Sequence, residues 1–116
     1  MTFIGIDLHT NKFTCCFLNE KPSTEEKDSK RIETFEPTAI GLDLFYKTLT
    51  EDTYVLLEAT ITSFSFVRLI QPKVKEVIVA NTYELKQISL ARNKTDKIDA
   101  DKLCRILKMQ VLYIAF

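Results

Sequence analysis

The chain has no tryptophan, one histidine, two glycines and three prolines among its 116 residues. Such scarcity excludes collagen-like, linker-like and low-complexity architectures. No apolar run approaches the roughly 18 residues that a membrane-spanning helix needs. The opening stretch, Met1-Thr2-Phe3-Ile4-Gly5-Ile6-Asp7, has neither the basic start nor the small-residue cleavage site of a secretory signal. A cytoplasmic protein with no membrane partner is the expectation. Net charge is also absent, with 16 basic residues against 16 acidic ones, so no global argument for a polyanionic partner exists. Cysteine is limited to Cys15, Cys16 and Cys104, an odd set without metal-ligand spacing. Adjacent Cys15 and Cys16 would point to opposite faces of a strand, so reduced thiols acting as small apolar residues are expected.

What is present fits one domain with a single core. Charge is uneven along the chain: residues 1–64 carry 6 basic and 11 acidic side chains, and residues 65–116 carry 10 and 5. A solvated helix surface accounts for this as readily as a nucleic-acid face does. Residues 2–8 alternate as a strand, and a polar turn from His9 to Asn11 leads to a second strand from Lys12 to about Asn19. A charged loop follows, then a third alternating strand from Arg31 to Glu36. From Pro37 to Leu49 the period becomes helical, with Ile40, Leu44, Phe45 and Leu49 recurring. Thr53 to Glu58 is nearly continuous apolar, as in a buried parallel strand. Phe64, Val67, Arg68 and Ile70 mark a short helix ended by Pro72. Val74 to Ala80 is another buried strand. Asn81-Thr82-Tyr83-Glu84 has capping-box form before a helix to about Ala91, and a last helix runs from near Thr95 to about Met109. This order predicts an α/β fold: a three-strand antiparallel meander, then βα units, giving a mixed sheet with helices on its faces.

The run Lys94-Thr95-Asp96-Lys97-Ile98-Asp99-Ala100 carries the most chemistry. On a helix, Asp96 and Asp99 share a face, and that face continues into Leu103, Ile106 and Leu107. Two carboxylates aimed at the core repel each other and lose water, so they call for a cation. Asp7 closes the first strand and Glu58 closes the fourth, where sites form in sheets of this kind. If those strands are neighbours, the four acids gather at one rim. There they would hold Mg²⁺ or Mn²⁺ for phosphoryl transfer, the hard cations that oxygen ligands suit. Each acid also has a purely structural reading: turn former for Asp7, surface or capping acid for Glu58, helix-dipole partner for Asp96. Asp101 reads as part of an exposed ion-pair ladder with Lys97 and Arg105. His9 could reach the rim from its turn, although a turn histidine without a role is the commoner case.

Ile4-Gly5-Ile6-Asp7-Leu8-His9-Thr10-Asn11-Lys12, Leu57-Glu58-Ala59-Thr60, Ala80-Asn81 and the run from Lys94 to Ala100 together resemble the N-terminal domain of DEDD-type insertion-sequence transposases, the family that includes pilin gene-inverting recombinases. That resemblance implies a RuvC-like, ribonuclease H-like fold over residues 1–109. It implies the acidic tetrad Asp7, Glu58, Asp96 and Asp99 as catalytic metal ligands, with Mg²⁺ or Mn²⁺ as cofactor. DNA is the implied partner, and basic Lys12, Arg92, Lys94 and Lys97 would meet its phosphates. It also implies a homo-oligomer in the full-length protein and, as in some members, a structured guide RNA. Two departures stand out. Ile61-Thr62-Ser63-Phe64 replaces the family's Gly-Asn-aromatic turn after Glu58. Residues 110–116 read as a truncated or degenerate tail, with the family's C-terminal serine domain absent. None of Ser23, Ser29, Ser63, Ser65 or Ser89 matches the nucleophile's motif. The expected function is therefore the metal-binding half of a DNA transposase or site-specific recombinase, inactive by itself. The alternatives are an actin-like nucleotide-binding fragment, or a non-catalytic remnant that binds nucleic acid or oligomerises.

Overall fold

Period-two runs near the N-terminus set the sheet. The computed structural model describes residues 1–20, 29–81 and 99–113, with side chains to Val111. Strands β1 (Thr2–Leu8), β2 (Phe13–Asn19) and β3 (Ser29–Phe35) form the expected antiparallel meander. Helix α1 (Ala39–Tyr46) leads to β4 (Thr53–Glu58), which pairs parallel with β1. Helix α2 (Ser63–Ile70) runs into a short 3-10 turn holding Pro72, and β5 (Glu76–Ala80) pairs parallel with β4. The sheet order is β3-β2-β1-β4-β5. The last described helix, α3 (Ala100–Tyr113), lies across the sheet. The expected helix before it, and the capping box from Thr82 on, fall outside the described residues. No helix among the described residues is long and apolar enough to cross a membrane.

Pleat alternation divides the core into two clusters, one per face. Ile4, Ile6, Phe13, Cys15, Phe17, Phe35, Val55 and Leu57 point to one face, where Phe45 of α1 and Phe66 and Ile70 of α2 cover them. Phe3, Cys16, Leu18, Leu56 and Ala80 point to the other, under Ala100, Leu103, Cys104, Ile106 and Leu107 of α3. Cys15 and Cys16 do face opposite ways, and all three thiols are free and buried. Burial raises the pKa of each, most of all Cys104 and Cys15, which keeps them protonated and unreactive.

Two expectations, for α1 and α3, are corrected. Helix α1 turns Gly41 and Phe45 inward and leaves Ile40 and Leu44 exposed. A Cβ at Gly41 would meet the carbonyl oxygen of Glu36, so only glycine lets this helix pack so close to the end of β3. On α2 the buried aromatic is Phe66, and Phe64 is exposed. Helix α3 is described from Ala100 through Gln110 to Tyr113, past the expected end at Met109, and its expected start near Thr95 lies outside the described residues.

Candidate metal centre at the strand-end rim

Asp7 stands two residues after Gly5 and four after Phe3, so it shares their side of β1, the face under α3. Glu58 stands two residues after Leu56, on the same face of β4. Register pairs Ile6 with Leu57, so Asp7 and Glu58 occupy the next position on two adjacent parallel strands. Backbones of such neighbours lie about 4.8 Å apart. Two acids 51 residues apart in sequence thus meet at one rim, at the carboxyl ends of parallel strands. A hydrogen bond from the Ala59 amide to the Ala80 carbonyl (2.8 Å) fixes the end of β4 against β5.

Gly5 brings α3 to this rim. A Cβ there would strike the Ala100 carbonyl oxygen and the Cys104 amide nitrogen, and would lie 2.8 Å from Leu103 Cβ. The first turn of the helix therefore rests on the backbone of β1, one pleat away from Asp7. Cys104 Sγ donates to the Phe3 carbonyl at 3.3 Å along the same contact.

Asp99 immediately precedes that first turn. Its Oδ1 accepts the Lys102 amide at 2.9 Å, and its carbonyl accepts the Leu103 amide at 3.0 Å. It is the N-cap of α3 and is exposed, not a member of the helix's buried face as the spacing implied. The reason is local: an aspartate at a helix start satisfies an orphan amide more cheaply than it enters a core. Asp96, Arg92, Lys94 and Lys97 lie outside the described residues. Lys12 is exposed in the β1–β2 turn, where its carbonyl accepts the His9 amide at 2.9 Å.

Sequence reasoning undervalued the loops at this rim. His9 Nε2 lies 3.0 Å from Asp7 Oδ2, with Asp7 only 19% exposed. Beyond it a cleft of about 460 Å³ is lined by Leu8, His9, Thr10, Thr60, Ile61 and Thr62. Its walls are the loops after β1 and β4, the positions that strand-end sites use. The Thr60–Ser63 turn is held by three bonds. Ser63 Oγ donates to the Thr60 carbonyl (2.8 Å) and accepts from the Thr60 amide (3.1 Å), and the Ser63 amide donates to the same carbonyl (3.1 Å). This buried serine closes the turn and starts α2 at Ser63.

Asp101 differs from its expected exposed ladder. Arg105 Nη2 does bond it at 2.6 Å, but Lys30 Nζ of β3 also reaches it at 3.0 Å, and the carboxylate is 22% exposed. Burial raises its pKa, yet the Lys30 hydrogen bond and the Arg105 and Lys30 charges outweigh that and hold it below the usual carboxylate range. Bonded to the same carboxylate, Lys30 is held above its ordinary value.

The donor set suits a hard cation in kind, because Asp7 and Glu58 offer only carboxylate oxygens. Among the described residues no three His, Cys, Asp or Glu side chains stand close enough to enclose a metal. Magnesium does not require such a cage; one or two carboxylates, waters and a substrate phosphate commonly complete its shell. The rim fits that open kind of site.

No protein-family model matches the chain, and no curated protein matches it. Solved structures do. The crystal structure of the fowlpox virus Holliday junction resolvase aligns with a TM-score of 0.54 at 14% identity, covering 96% of this chain and 97% of that one. The fowlpox virus resolvase in complex with substrate Holliday junction DNA aligns at 0.53 with 16% identity, covering 96% of each. The chain has the mixed-sheet α/β architecture of the ribonuclease H-like, RuvC-like fold.

Proposed function

We propose that this chain is a metal-dependent DNA-processing domain, the acidic half of a transposase or recombinase site. The observation that carries the reading is the placement of Asp7 and Glu58 side by side, on one face, at the ends of adjacent parallel strands. The full-length likeness to resolvases, one of them bound to a four-way DNA junction, supports DNA as substrate. The DEDD resemblance supports Asp96 and Asp99 as the remaining acids, residues 1–109 as the domain, and a partner domain for strand exchange.

In this reading Asp7 and Glu58 hold Mg²⁺ or Mn²⁺, and His9 orients Asp7. A divalent cation held by these two carboxylates would supply polarisation of a phosphate oxygen and activation of the attacking oxygen. The Thr10, Thr60 and Thr62 hydroxyls offer hydrogen bonds to a phosphodiester in the adjoining cleft. Lys12, Arg92, Lys94 and Lys97 supply positive charge along the flanking backbone.

Calorimetric titration of Mn²⁺ into the wild type and the Asp7→Asn, Glu58→Gln double variant tests the metal site. Expected is a binding isotherm in the wild type that the variant loses. Equal isotherms would sink the metal reading. DNA binding that ignores metal, weakens with salt and survives loss of both acids would replace it with a non-catalytic nucleic-acid module.

A further inference from the structure

Strand β3 ends the sheet, and among the described residues no strand lies beyond it. Six of its seven residues are exposed, and among the described residues its outer row of backbone donors and acceptors has no strand partner. Edge strands are usually protected by charges, most often lysines. Here the charges have both signs, and the central triplet Arg31-Ile32-Glu33 is its own charge complement when reversed. At their centre Ile32 is 58% exposed, an apolar side chain on the α3 face opposite Cys16.

We infer that β3 pairs antiparallel with β3 of a second copy of this chain, about a two-fold axis through Ile32 and normal to the sheet. In that register Ile32 meets Ile32 of the other copy, and each Arg31 meets a Glu33, twice by symmetry. Facing residues lie on the same side of an antiparallel pair, so both copies keep α3 on the same face. The neighbouring register, centred on Glu33, sets two glutamates against each other and is disfavoured.

Two further features agree. Lys30 and Arg31 are already ordered within the chain, Lys30 on Asp101 (3.0 Å) and Arg31 over the Phe17 ring (4.4 Å), so pairing orders fewer groups anew. The present Arg31–Glu33 contact is loose, 3.7 Å between exposed groups, and can be exchanged for a cross-strand pair. Beside the same edge, Ile40 (78% exposed) and Leu44 (53%) line a groove with Glu33 and Phe35.

The product is a continuous ten-stranded sheet with an isologous interface. Five strand spacings separate the two β1 strands, and Asp7 lies two residues beyond Ile32 along the strand direction. The two acidic rims then stand roughly 25–30 Å apart on one face. The inference stands whether or not those rims bind metal.

Sedimentation of the intact chain tests it. Wild type should pass from monomer to twice that mass as concentration rises. Arg31→Glu and Glu33→Arg should each remain monomeric alone, form a heterodimer when mixed, and dimerise again when both changes share one chain. Ile32→Lys, which sets like charges on the axis, should abolish association. Far-ultraviolet circular dichroism verifies that each variant is folded. A wild type that stays monomeric to its solubility limit overturns the inference, as does a dimer indifferent to all three single changes.

Discussion

On one side of the sheet Phe13 sits among Phe35, Phe45 and Phe66, with ring centroids 5.0–5.5 Å away. On the other side Gly5, Cys16, Ala100 and Cys104 are small, and a helix descends onto the backbone of β1. The first face is large-ringed and covered by two short helices. The second carries Asp7, Glu58 and Asp101 around a thinner apolar centre. One face supplies stability through ring packing and buried area. The other holds a helix close enough to the strand ends for polar groups to share a rim. The pleat separates the ringed core from the polar rim.

The largest expected effect is on the ringed face. Phe13→Ala should cost about 4 kcal/mol, from lost burial and the cavity left among three aromatic neighbours. Chemical denaturation measures it, and any variant that stays folded should keep its Mn²⁺ isotherm. Loss of metal binding in folded protein would break the separation of the two faces. Next, Gly5→Ala should cost about 3 kcal/mol, because the new methyl meets main-chain atoms of α3 that cannot step aside independently. In contrast with the first variant, it should weaken Mn²⁺ binding in molecules that remain folded, since the helix start is displaced from Asp7. An unchanged isotherm would show that α3 does not help build the rim.

The smallest effect sharpens the comparison at the edge of the second face. Asp101→Asn should cost about 1 kcal/mol at neutral pH by removing the partner of Lys30 and Arg105. The Asp101 pKa is depressed on folding, so its contribution is complete above the unfolded value near 4 and fades as pH falls through the lower folded value. Urea unfolding across an acid series should show wild type and variant converging below about pH 4.

Much of this was legible from residue order alone. The first three strands and the opposed cysteines follow from period-two patterning and β propensity, and the last two strands from short continuous apolar runs. Asp7 and Glu58 could be located because each ends a strongly apolar strand, and neighbouring strands bring their ends together. Helix faces were harder. Ile40 and Leu44 look like core at helical spacing, but contact at Gly41 rotates α1 and leaves them outside. Asp99 fits both a helix face and a cap, and local hydrogen bonding decides for the cap. Spacing also hid the long-range partner of Asp101, because Lys30 is 71 residues away.

Contact between α3 and β1 joins Ala100, Leu103 and Cys104 to Gly5, so about a hundred residues intervene between surfaces that must touch. During synthesis the ringed face can close once α2 and β5 have emerged, but the opposite side must wait for residues beyond Ala100. Until then Phe3, Cys16 and Leu56 lack the cover that α3 gives them. Such late closure slows folding and exposes nascent chains to chaperones. It also ensures that the polar rim is assembled only after the rest of the scaffold is in place.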